Sequence, residues 1–134
     1  MEDTKRLTVT VNSFSYRRGI PYDDSGNGGG YVFDCRGILN PGRFKRYMML
    51  DGKDQEVIEF FEKNTNIYDY LEHVFQLVKT NIDSYIDKSF THLMVNFGCT
   101  GGQHRSVFCA EWLAQRIRNK YNVAVDLNHL ELKE

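Results

Sequence analysis

Residues 93–106 read Leu93-Met94-Val95-Asn96-Phe97-Gly98-Cys99-Thr100-Gly101-Gly102-Gln103-His104-Arg105-Ser106. This stretch decides the fold. An apolar run, a glycine-bearing turn and a following segment with Ala110, Leu113, Ala114 and Ile117 at helical spacing predict a strand–loop–helix unit over 93–120. The loop then lies at a helix N-terminus, where unpaired backbone N–H groups and the helix dipole favour an anion. Gly101 and Gly102 let the backbone turn its amides inward and admit a ligand closely. Arg105 adds a planar fork suited to two oxygens of a phosphate, and Thr100, Gln103, His104 and Ser106 add further polar groups. The loop from Cys99 to Ser106 therefore reads as a cradle for phosphate, sulfate or carboxylate.

Working outward, Leu7-Thr8-Val9-Thr10-Val11 alternates as a strand that extends toward Phe14, and Tyr31 to Cys35 is a second strand. Between them, Tyr16 to Gly30 is a long loop rich in Gly, Asp, Asn and Arg. Arg36-Gly37 and Asn40-Pro41-Gly42 are turn signals. A short helix is predicted over Asp54 to Lys63, with Val57, Ile58 and Phe61 on its buried face. A longer one follows over Ile67 to Ile86, with Ile67, Leu71, Val74, Phe75, Val78, Ile82 and Ile86 facing the core and His73 at its edge. A strand over Thr91 to Phe97, the anion loop, a helix over Arg105 to Lys120 and a last strand over Val123 to Leu127 complete the order. This is an α/β order, expected to give a single domain over 1–134 with a mostly parallel sheet of about four strands flanked by helices. Ligands of such sheets collect beyond the carboxyl ends of the strands, which places Arg36 and Arg105 over one crevice if their strands run parallel.

With 41% hydrophobic and 13% aromatic residues in 134, the chain can bury a core without staples. No stretch reads as a membrane span or secretory signal, so the cytoplasm is the expected location. The three cysteines have no metal-ligand spacing and read as reduced thiols, Cys35 and Cys109 as buried small hydrophobes. No metal or cofactor is expected. The net charge of −1 excludes a general pull toward nucleic acid. Charge is local instead: the acids gather at Asp51 to Glu62 and in the tail Glu131 to Glu134, and Arg17, Arg18, Arg43, Lys45 and Arg46 form a basic set near the glycine-rich loops, available to RNA phosphates if RNA is bound.

The loop also satisfies the layout of cysteine-dependent phosphatases: cysteine, five residues, arginine and serine between a strand and a helix. Cys99 would be the thiolate nucleophile and Arg105 the phosphoryl clamp. Gly98 stands where those enzymes generally place histidine, and Asp34 and Asp69 are only nominal candidates for the acid. Binding is thus favoured over catalysis, with no catalytic residue assigned.

Three segments taken together, Ser13-Phe-Ser-Tyr-Arg-Arg-Gly-Ile-Pro, Phe33-Asp-Cys-Arg-Gly-Ile-Leu-Asn-Pro and Gly98-Cys-Thr-Gly-Gly-Gln-His-Arg-Ser-Val, resemble the C-terminal domain of the RapZ family of RNase adapter proteins, in the same order and over about residues 7 to 128. The resemblance implies an α/β domain that binds RNA and an amino-sugar phosphate, glucosamine-6-phosphate. In the family a P-loop NTPase domain precedes it; this sequence contains no Walker-type loop. Gln103 stands where the family often has lysine, and Arg18 where some members have histidine. Carried residue by residue, the resemblance implies a phosphosugar pocket made by Cys99, Thr100, Gly101, Gly102, His104, Arg105 and Ser106, with Arg36 and Arg18 reaching in. The function expected is a phosphorylated-metabolite sensor or adapter with RNA as a second ligand and a separate NTPase or ribonuclease chain as a candidate partner. The alternatives are the phosphatase and a protein-interaction module that recognises a phosphate or carboxylate.

Overall fold

The computed structural model describes residues 6–132; the first five residues and the last two of the acidic tail lie outside that range. The chain forms β1 (Thr8–Ser15), β2 (Tyr31–Asp34), two short 3₁₀ turns (Pro41–Arg43 and Lys45–Tyr47), α1 (Gln55–Asn64), α2 (Ile67–Asp87), β3 (His92–Cys99), α3 (Arg105–Lys120) and β4 (Ala124–His129). The strands make one sheet in the order β2-β3-β1-β4, every neighbouring pair parallel. All four carboxyl ends therefore point the same way, and the loops after the central strands β1 and β3 leave from adjacent positions.

The period-two alternation puts Val9 and Val11 of β1 and Leu93, Val95 and Phe97 of β3 on the face that the helices cover, all buried. α3 packs over β1, β3 and β4, with α2 beside it over β3. Ala110, Leu113, Ala114 and Ile117 are all solvent-inaccessible, the two alanines letting the α3 backbone lie close to the sheet. Each fully buried Leu, Ile or Phe contributes about 1.5–3 kcal/mol, so this face holds most of the apolar stabilisation.

The other face is polar. Asn128, Asn12 and Asn96 stand in register on β4, β1 and β3. Asn128 Nδ2 donates to Asn12 Oδ1 at 3.1 Å, Asn12 Nδ2 to Asn96 Oδ1 at 3.0 Å, and Asn96 Nδ2 to the Tyr31 carbonyl at 3.1 Å. All-parallel sheets usually have helices on both faces. Here a self-satisfying amide ladder replaces the second apolar layer, and residues 20–30 of the long loop lie across it.

Several boundaries differ from those expected. β3 runs to Cys99 because Ser15 pairs with it and the Tyr16 amide donates to its carbonyl at 3.0 Å, extending the ladder past Phe97. β4 extends to His129, opposite Ser13. Ile58 is only partly buried while Phe60 joins the core, and Ile86, in the last turn of α2, is 46% exposed. The 3₁₀ turns at 41–47 have no hydrophobic period to announce them. Cys35 and Cys109 are fully buried with their sulfurs 3.7 Å apart, and burial pushes the Cys109 thiol well up. His73 is exposed, its Nδ1 2.7 Å from the Asp69 carbonyl.

Candidate anion-binding site

The loop between β3 and α3 has a backbone turned outward. From Thr100 to Val107, no amide donates to a backbone or side-chain acceptor among the described residues; the first bond of α3 is from Phe108 N to the His104 carbonyl at 3.0 Å. The uncapped first turn of a helix explains the last of these amides, and the turn itself the rest. Gly102 sits at φ +73°. A Cβ there would lie 2.7 Å from Glu131 Cγ and 3.0 Å from the β1 backbone at Phe14 and Ser15, so the position needs glycine for both conformation and space. Gly98 has no room either: a Cβ would meet the Phe14 and Tyr16 rings at 2.4–2.6 Å.

The polar side chains of the loop mostly hold it in place. Arg105 is 5% exposed; its Nη1 donates to the carbonyls of Arg36 and Ile38, both at 2.9 Å, while its buried Nε has no partner among the described residues. His104, also buried, turns its Nε2 to the Tyr47 carbonyl at 3.0 Å, and its ring packs against Gly42. Cys99 Sγ donates to Ser106 Oγ at 3.2 Å, both side chains buried. Ser15 Oγ donates to the Thr100 carbonyl at 2.6 Å, and Gly52 N to the Gln103 carbonyl at 2.8 Å. Gly101 and Gln103 are exposed and Thr100 half-buried.

The arms expected from the other motifs are placed differently from one another. Arg36 stands beside the loop but spends its guanidinium on Asp34, at 2.9 and 2.8 Å, and stacks on Tyr16 at 3.8 Å; what it offers the loop is its carbonyl. The hydrogen bonds from Arg36 hold the Asp34 carboxyl below the usual carboxylate range, and burial raises the Tyr16 hydroxyl. Arg18 is largely exposed and lies 3.6 Å from Glu131, the residue that packs on Gly102. Arg17 is exposed, as are Arg43, Lys45 and Arg46 in the 3₁₀ turns, with Arg46 3.6 Å from Glu56. The sequence did not mark Tyr16, Gly42, Tyr47, Gly52 or Glu131 as parts of this site. Gly42 carried a turn signal and Tyr16 lay in one of the three motifs, but neither signal pointed to the loop.

For phosphatase chemistry the parts are poorly disposed. Gly98 cannot be replaced by a larger residue without moving two aromatic rings, and an Asp34 held ionised by Arg36 is the reverse of a general acid. No group of three or more metal-ligating side chains converges among the described residues, and no helix there is long and apolar enough to cross a membrane.

The family model described as the RapZ C-terminal domain matches residues 7–133. The chain belongs to that family. Its curated relatives include a nucleotide-binding protein of Ruegeria sp., 37% identical over 128 residues; one of Methylococcus capsulatus, 35% over 129; and one of Fervidobacterium nodosum, 36% over 129. Each match covers 96% of this chain and 41%, 41% and 44% of the relative. The RapZ C-terminal domain described here thus spans about two fifths of the length of those proteins.

Proposed function

We propose that the loop from Cys99 to Ser106 holds the phosphate of a phosphorylated small metabolite, an amino-sugar phosphate such as glucosamine-6-phosphate, and that the domain serves as a sensor or adapter without hydrolysing it. The observation that carries this is the run of amides from Thr100 to Val107 that donate to nothing among the described residues, beside the orphaned Nε of Arg105. Unpaired amides at a helix N-terminus point at a would-be ligand, and an anion seated there accepts from several at once with help from the α3 dipole. Family membership and the names of the longer relatives support a binding role, and a nucleotide-binding domain, in the same or another chain, is the natural companion.

The test is calorimetric titration with glucosamine-6-phosphate, glucosamine and inorganic phosphate. Exposed Gln103 offers a clean probe of charge. Gln103→Lys should tighten the phosphate ligands and Gln103→Glu weaken them, each by about two- to fivefold, the range of a charge near a helix N-terminus. Cys99→Ser should retain binding, and wild type should turn over no aryl phosphate. Equal affinity in both Gln103 variants, or no affinity for either phosphate, defeats the proposal. RNA has less support here: the five basic residues are exposed, but Arg18 and Arg46 stand beside Glu131 and Glu56.

A further inference from the structure

The segment 41–49 presents an unusual surface. Arg43, Phe44, Lys45 and Arg46 are all exposed, and Met48 and Met49 follow at 54% and 94% exposure, with Phe44 at 43%. Arg43 and Lys45 form no ion pair among the described residues, and the pair of Arg46 with Glu56 is long and solvated, hence weak. Three exposed cations thus share the segment with three large apolar side chains that remain exposed, Phe44 with one side against Phe60. Exposed apolar groups rimmed by charge mark interaction sites, and methionine is the side chain best able to adapt to different apolar partners.

The turn is also held rigid. The Asn40 side chain accepts from Gly42 N at 2.9 Å, and the amides of Phe44, Tyr47 and Met48 donate to Pro41, Phe44 and Lys45 at 3.0, 2.9 and 3.3 Å. The Phe44 and Tyr47 rings pack on Phe60 at 5.7 and 5.2 Å, and His104 holds the Tyr47 carbonyl. A partner would meet a preformed surface and would not have to order it, which favours affinity.

We propose that the 41–49 turn docks a polypeptide segment in which acidic residues flank apolar ones. Charge complementarity calls for the acids, and Phe44, Met48 and Met49 call for the apolar side chains. A nucleic-acid backbone answers only the first requirement, because its phosphates offer nothing to two exposed methionines. The chain's net charge of −1 adds no broader field to draw a polyanion. The surface is independent of what the Cys99–Ser106 loop binds.

The test is selection of peptides from a random display library on the whole chain, followed by anisotropy titration of the enriched sequences. Single-stranded and duplex RNA are titrated alongside. Two variants are compared, Arg43→Glu/Lys45→Glu/Arg46→Glu and Met48→Ser/Met49→Ser; the changed side chains are exposed, and thermal melts check that both variants stay folded. The expected consensus joins Asp or Glu to Leu, Ile or Phe. Its affinity should fall by about tenfold or more in the charge variant and by about threefold or more in the methionine variant, from the apolar area left uncovered. Peptides without acids, binding indifferent to the methionines, or a selection that returns nothing would overturn the proposal. So would RNA bound more tightly than any peptide and lost only in the charge variant.

Discussion

Two glycine-rich loops follow the two central strands, and they differ in what their amides meet. In the loop after β1, the Asp23 carboxylate accepts from Ser25 N at 2.9 Å and Gly29 N at 2.8 Å. Its hydrogen bonds, led by the one with the Ser25 side chain, hold the Asp23 carboxyl below its ordinary range. That loop is closed on an acid of its own. In the loop after β3, no carboxylate of the described chain takes the amides, although Glu131 lies against Gly102. The glycines do not divide by loop: a Cβ at Gly26, Gly28, Gly29 or Gly101 would meet nothing within 4 Å, whereas one at Gly30 would strike the Met94 carbonyl and one at Gly102 would press on β1 and Glu131. Glycine content alone therefore does not mark an anion site. What sets the loop after β3 apart is a run of amides that the described residues leave unsatisfied, at a helix N-terminus, on a loop clasped by its neighbours.

The comparison can be broken most forcefully at Arg105. Arg105→Ala removes two charge-assisted bonds to the 36–38 carbonyls and leaves those acceptors buried, which should cost about 2–5 kcal/mol of stability and any phosphate affinity as well. Urea unfolding checks the first effect and calorimetry the second. A variant as stable as wild type would mean that the clasp is not what shapes the loop. Next in size, Gly102→Ala should lose about 1–3 kcal/mol from the left-handed conformation and crowding, and should weaken phosphate binding. Gly28→Ala, at φ +83° in open space, should cost about 1 kcal/mol and leave binding untouched. If the two alanine variants behave alike in titration, the distinction between the loops fails.

Smaller still is Asp23→Ala, which frees the Ser25 and Gly29 amides in a solvated loop; about 0.5–1.5 kcal/mol is expected, with faster hydrogen exchange at 25–29 and no change at 100–106. The smallest effect is collective and set by pH. Asp23, Asp34, Glu72 and Asp83 all have carboxyls lowered by hydrogen bonds, from Ser25, Arg36, Arg116 and Tyr121 respectively. A folded-state value below the unfolded one stabilises the fold above the ordinary carboxylate range, and that contribution disappears as the pH falls through the folded-state values. Denaturant midpoints should therefore be level near neutrality and fall below about pH 4. A midpoint that rises on acidification would contradict the assignment, and Asp23→Ala should make the fall shallower.

Legibility from sequence followed the range of the forces involved. Alternation in β1 and β3 and the stripes of α2 and α3 are local patterns repeated over many residues, and their buried faces appear almost as read. Ile58, half-buried against the core, and Ile86, exposed, depart from that reading, because the helical period sets a face and not how deeply each position on it is covered. At the loop, the amides were legible because a strand, two glycines and a helix start generate them locally. The directions of His104 and Arg105 were not, because each is decided by a group remote in sequence, the Tyr47 carbonyl and the 36–38 carbonyls; Arg36 turns to its near neighbour Asp34 and stacks on the remote Tyr16 ring. The side chains of Gln103 and Thr100 have no such partner among the described residues.

By itself the sequence determined the α/β order, the parallel sheet, the family and the place of a glycine-bearing turn between β3 and α3, since backbone preference and hydrophobic period act between neighbours along the chain. Only the tertiary structure decided which charges stay available. A guanidinium or imidazole carries donors that any nearby carbonyl or carboxylate can take, and burial makes that pairing obligatory. In this molecule packing commits buried Arg105 and His104 to the clasp, while exposed Arg36 pairs with Asp34 and the cations of the 41–49 turn are left to the solvent.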